Sequence, residues 1–246
     1  SRPRRRPTRS LVTVVGVVVL LIAAIAFANR GGGEGGSSRD RADSGNSGAR
    51  SDPTAASGVK PVTGTNGTIP SGFARDEQGA ASAAANYAVA LGSDAMFHAT
   101  GRDEVIRATH DPAKADGLLT DLDRAYSPAF LKTVGLNEDG SAPDGLTFVS
   151  RTVPIGTKVT KIDNTAATVE VWSTGLVGLA GEGSTKPVTE TWFTLTEQLT
   201  WTDGDWKITS SSQTQGPTPV GAGNRASSAD EISKAVQGYG GFTYAR

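Results

Sequence analysis

The chain has 246 residues, with 24 basic and 25 acidic side chains, two histidines and no cysteine. This excludes disulfides, thiolate zinc sites and cysteine nucleophiles, so any folded part outside the cytosol is stable by packing alone. The near-neutral total hides an asymmetry: five arginines and no acid occupy the first ten residues, whereas residues 61–246 carry 14 basic against 21 acidic groups, a net −7.

Residues 1–10 form a basic tip, expected on the cytoplasmic side. Residues 11–28, LVTVVGVVVLLIAAIAFA, hold no charge in 18 positions. As a helix they reach about 27 Å, close to the hydrocarbon thickness of a bilayer. With the arginines before this run and glycines after it, the positive-inside rule predicts a transmembrane helix in the cell membrane. The protein is then single-pass, with a cytoplasmic amino terminus and an extracellular remainder. Ala26-Phe27-Ala28 offers small residues to a signal peptidase, but the run exceeds the roughly 7–15 residues of a signal-peptide core, which favours an anchor. Residues 29–72, rich in Gly, Ser, Asp and Arg, bury too little apolar surface to offset their ordering entropy and read as a flexible, disordered stalk.

Order is expected from Phe73 to Ser212. In residues 74–93, Ala80, Ala84, Tyr87, Ala88 and Leu91 recur at three and four, predicting a helix with a narrow apolar face. A second short helix is expected from Glu104 to His110. A third follows from Pro112 to Tyr126, on Leu118, Leu119 and Leu122, with one more turn from Pro128 to Val134. From Leu146 the chain alternates in Val, Thr, Ile and Trp, giving strands at 146–156, 157–163, 167–173, 188–201 and 205–211, with Gly175 to Gly183 as a separator. Helices followed by antiparallel strands predict an α+β fold.

Asp203-Gly204 fits a two-residue hairpin turn. Its register places Trp201 opposite Trp206 and Leu199 opposite Ile208 on a dry side, with Thr200, Thr202, Asp205 and Lys207 on a wet one. Stacked tryptophans there are core material first and a ligand platform second. Glu197 interrupts the apolar face of Phe193, Leu195, Leu199 and Trp201; a bulge turning it to solvent is the expected arrangement, and a pocket carboxylate with a raised pKa is the alternative. His98 and His110 are twelve residues apart and read as surface or helix-end residues without a shared metal. The glycine runs lack a phosphate-loop lysine, and no nucleophile elbow is present. The acidic outer part is not expected to bind nucleic acid directly, since duplex affinity comes largely from neutralising phosphates.

Residues 213–246 read as a tail. Ser228-Ala229-Asp230-Glu231 matches a capping box opening a helix through Val236, and Tyr239, Phe242 and Tyr244 pack back onto the domain, face a partner or are disordered. Tyr126, Trp192, Glu197, Trp201, Trp206, Tyr239, Phe242 and Tyr244 are thus the candidate pocket or interface residues; no catalytic residue, metal ligand or cofactor is expected.

The succession of basic tip, apolar run, stalk, alanine-rich helix ending NYAVAL, short helices and long strands closing on WTDGDWKI resembles membrane-anchored nuclear-transport-factor-2-like domain proteins, over roughly residues 73–212. The resemblance implies a cystatin-like cone of helices packed on a curved antiparallel sheet. Anchored proteins of this kind include the bitopic assembly component of type IV secretion and conjugation systems and membrane proteins of envelope lipid transporters; the Ala-, Gly- and Asp-rich composition fits actinobacteria. The resemblance therefore implies a non-catalytic scaffold with protein partners among channel or envelope subunits, and self-association. The alternatives are an accessory protein of a lipid transporter, or a small-molecule-binding or enzymatic domain using the cone interior.

Overall fold

The computed structural model describes residues 62–219 and 226–239. The basic tip, the apolar run 11–28, most of the expected stalk, Phe242 and Tyr244 lie outside the described residues. Structure begins before Phe73: Gly64–Asn66 (β1) and Ile69–Ser71 (β2) pair antiparallel as a small ribbon, and Ile69 is buried. Two three-residue strands are too short to show a periodicity, so the end of the expected stalk concealed them.

Helix α1 (Glu77–Leu91) starts at Asp76, whose carboxylate accepts from Gly79 N at 2.7 Å, a side-chain cap for an orphan amide. Of the expected stripe, Ala80, Ala84, Tyr87 and Ala88 are fully buried and Leu91 is half-buried, but Ala83, Ala85 and Asn86 are buried too. Alanine side chains let neighbouring backbones approach on several sides, so the helix is enclosed more fully than a narrow stripe implies. A 3-10 turn at Asp94–Phe97 leads into α2 (Ala99–Thr109), which starts five residues before the expected Glu104. Asp111 caps α3 (Pro112–Ala125) by accepting from Ala113 N at 3.0 Å, with Pro112 at the first helical position, where its missing N–H costs nothing. Leu118, Leu119 and Leu122 are buried as expected, and α4 (Pro128–Thr133) follows.

Four long strands come next: β3 (Thr147–Ile162), β4 (Ala166–Ala180), β5 (Thr189–Thr202) and β6 (Asp205–Gln215), antiparallel in the order β3-β4-β5-β6. The segments expected as two strands at 146–156 and 157–163 are one, with register shifts between Pro154 and Gly156 and between Val159 and Lys161. The glycines expected to separate strands from Gly175 onward instead lie partly within β4, which continues to Ala180. Helix α1 packs on β3 and β4. Past β6, α5 (Ala229–Gly238) opens on the expected capping box of Ser228 and Glu231.

The expected nuclear-transport-factor-2-like cone is corrected here, while the transmembrane helix expected at 11–28 lies outside the described residues. The described residues form a four-stranded antiparallel sheet, a separate two-stranded ribbon and short helices. Among them no helix is long and apolar enough to cross a membrane. Short connections make each long strand pair with its sequence neighbour, and the ribbon closes on its own turn without joining the sheet.

The β5–β6 hairpin has the predicted register, with Asp203 at φ 52° and Gly204 at φ 80°. Its tryptophan rings meet edge-on, 5.3 Å between centroids. Its second side is not uniformly wet, because Asp205 and Lys207 are only 6% and 8% exposed. The Asp205 carboxylate accepts from Gly72 N at 3.0 Å and Phe73 N at 3.1 Å. Lys207 Nζ donates to Ala108 O at 2.7 Å and lies 3.6 Å from Asp205. Tyr87 O–H donates to Trp206 O at 2.5 Å, and Trp206 Nε1 donates to Ala74 O at 2.8 Å. The hairpin thus clasps the approach to α1, α1 itself and the end of α2. Asp205→Ala strips the amides of Gly72, Phe73 and Trp206 of their acceptor, the last two buried, and leaves Lys207 without its counter-charge; it should cost about 3–5 kcal/mol in chemical denaturation. Adding Lys207→Met should recover part of that loss, and equal loss in the single and double variants would contradict the clasp.

Candidate functional site

Side chains alternate along a strand, so Phe193, Leu195, Glu197 and Leu199 of β5 all face the helices unless β5 bulges. A bulge exists, but on the other strand: Gln198 pairs with Ser210 and Leu199 with Ile208, leaving Thr209 of β6 as the extra residue. The expectation that a bulge turns Glu197 to solvent is therefore overturned. Glu197 is 0% exposed, and neither carboxyl oxygen has a hydrogen-bond partner. Burial holds its pKa well above the usual carboxylate range, because an ionised carboxylate without partners is costly in an apolar interior.

Glu197 lines a cavity of about 60 Å³ between the inner face of the sheet and the helices. Most of the wall is apolar, including Ala88, Ile106, Leu118, Leu122, Val134 and Leu195; His110, Tyr126, Thr152 and Ser211 add polar groups. Ser211 stands opposite Glu197 in register. His110, expected at the surface, is 3% exposed and bridges backbone-to-backbone with Ile208, whereas His98 is exposed as expected. Burial, reinforced by the charge of Lys207, pushes the His110 pKa down to about 4. Thr109 Oγ1 donates its hydrogen to Val105 O at 2.7 Å, so it accepts at 2.9 Å from His110 Nδ1. The neutral ring then keeps Nε2 as its acceptor. Tyr126 packs edge-on to Phe97 and Phe130, under the Arg102 guanidinium at 4.8 Å from its ring centroid. Its phenol pKa is raised by burial.

The remaining candidates are not drawn into this cavity. Trp206 is fully buried at the hairpin end, and Trp201 is half-buried with Arg75 5.4 Å from its ring centroid. Trp192 and Tyr239 meet on the opposite side of the sheet around Trp172, at centroid distances of 5.4 and 6.0 Å. Tyr239 O–H donates to Glu170 Oε2 at 3.0 Å. Its carbonyl lies where a Cβ on Gly156 would come within 2.1 Å, so only glycine allows this approach. Among the described residues, Tyr126 and Glu197 alone of the sequence candidates share the cavity. His110 and Ser211 were missed, and only the alternation through Ser211 carried a signal.

Among the described residues no group of three or more His, Asp or Glu is placed to hold a metal. The buried part of the cavity offers hydrogen bonding by neutral groups, a carboxylic acid, an imidazole and hydroxyls within hydrocarbon walls, with the exposed Arg151 at its outer wall. A raised folded-state pKa makes the native protein bind the extra proton, so Glu197 contributes most below pH 4.5 and that contribution is lost as pH rises toward its folded pKa. His110 works oppositely, favouring folding as pH rises from about 4 to 6.5. In urea denaturation, the stability advantage of Glu197→Gln over wild type should grow above pH 4.5 by up to about 1.4 kcal/mol per pH unit. A pH-independent difference between the two would show that Glu197 is not a buried acid.

No curated protein matches the sequence. The crystal structure of the intermembrane space region of the chloroplast protein ARC6 aligns with 53% of this chain and 90% of its own, at 16% identity and a TM-score of 0.30, which is too low to carry an argument. The model of the family described as "Domain of unknown function (DUF8175)" matches residues 61–227, so this chain belongs to that family.

Proposed function

We propose that this protein is a non-catalytic scaffold, held at the cell membrane by its apolar run 11–28, whose folded part binds protein partners as an assembly subunit of a conjugation or type IV-like secretion apparatus. The observation that carries this reading is the edge of the sheet. Strand β3 pairs on one side only, and Val153 and Ile155 stand on it 44% and 45% exposed. They lie next to Gly156, where Tyr239 seats the end of α5, itself bearing the exposed Val236. Exposed aliphatic groups on an edge strand mark a partner surface. The register shifts at Ile155 and Thr160 bend this edge away from indiscriminate strand pairing and favour a shaped partner, for which we name an integral channel subunit. The apolar run flanked by arginines supports membrane attachment.

In native cells, crosslinking of the full chain followed by purification from detergent-solubilised membranes should recover channel subunits of such an apparatus. Ile155→Asp should lower that recovery at least about tenfold with the thermal midpoint unchanged. Recovery of lipid-transport components instead, or a chain found free in the soluble fraction, would overturn the proposal.

A further inference from the structure

None of Val153, Ile155, Val236 and Tyr239 lines the Glu197 cavity. It has room: one water needs about 10–15 Å³, so about 60 Å³ admits a molecule of roughly four or five heavy atoms. It has a demand: two buried carboxyl oxygens without partners cost about 1–3 kcal/mol each unless something in the cavity satisfies them. It also has an approach, since Arg151, which is exposed, and Gly92 and Thr191, which are half-buried, contribute to its wall.

The occupant's chemistry follows from the walls. Leu118, Leu122, Val134 and Leu195 disfavour a charged group. A carboxylic acid presents one donor and one acceptor side by side, and its complement is a group with an adjacent acceptor and donor. We propose that the cavity binds a small neutral molecule carrying an amide or an undissociated carboxylic acid, its polar end on Glu197 and its alkyl end among Leu118, Leu122 and Val134. Ser211, across from Glu197, and His110 supply further hydrogen-bonding capacity at the polar end.

Propionamide is the probe. The full chain in lipid nanodiscs, labelled at Leu and Val methyl groups, would be titrated at neutral pH while the signals of Leu118, Leu122, Val134, Val177 and Leu195 are followed. Saturable shifts with an affinity of about millimolar are expected for an occupant of this size. Glu197→Gln keeps an adjacent donor and acceptor and should retain binding. Glu197→Leu keeps the shape but not the hydrogen bonds and should bind about tenfold more weakly. Equal affinity in Glu197→Leu, absence of saturable shifts in the wild type, or a preference for propylammonium over propionamide would each overturn the proposal.

Discussion

A carboxyl group sealed inside hydrocarbon must be neutral or paired, and in this fold the register of β5 puts one there. The unbroken alternation from Phe193 to Leu199 points Glu197 at the helices, while the bulge that relieves the sheet's bending falls on β6 at Thr209. The surroundings conform to the consequence. Tyr87 and Tyr126 keep their phenol protons, and His110 stays neutral against Thr109. A buried positive charge nearby would draw the proton off Glu197; Lys207, the buried cation on the same hairpin, is instead matched to Asp205 and the Ala108 carbonyl, and Arg151 at the cavity wall is exposed to solvent.

The sheet thereby separates two environments. Its inner face, under α1 and the helices that follow, holds the large core residues and the cavity. Its other face is partly covered by the carboxy-terminal segment: Trp172 donates to Pro217 O at 2.9 Å, Thr194 to Gly216 O at 2.9 Å, and Tyr239 reaches Glu170. This cover stops short of Val153 and Ile155. A partner at that edge would meet both the strand and the end of α5, so partner binding and the seating of Tyr239 share one place on the surface.

Local rules were legible where chemistry is local. The Asp203-Gly204 turn, the Trp201–Trp206 pairing, the Pro112 helix start and the Ser228 capping box each depend on residues within a few positions of one another. What escaped depends on distant partners. The chain leaving the ribbon, at Gly72 and Phe73, is tied down by the Asp205 carboxylate, more than 130 positions away, and nothing in the glycine-rich segment advertises that acceptor. Asp205 and Lys207 looked exposed from alternation alone, yet they are covered by the approach to α1 and the end of α2. The Glu197 pocket was visible as an alternative, but which strand bulges is a property of the pair and not of β5. Gly175 and Gly178 read as a loop because glycine usually marks one; in β4 they lie within the strand, the first against the Phe193 ring and the second beside Pro187.

The most direct test is the ionisation of Glu197 itself, followed through its carboxyl ¹³C chemical shift across a pH titration of the intact chain and assigned with Glu197→Gln. The account predicts the shift of an undissociated acid at pH 7, with no inflection near the 4.5 of an ordinary glutamate. A carboxylate shift at pH 7 would mean that the group is hydrated or paired, and the neutral interior described here would be wrong.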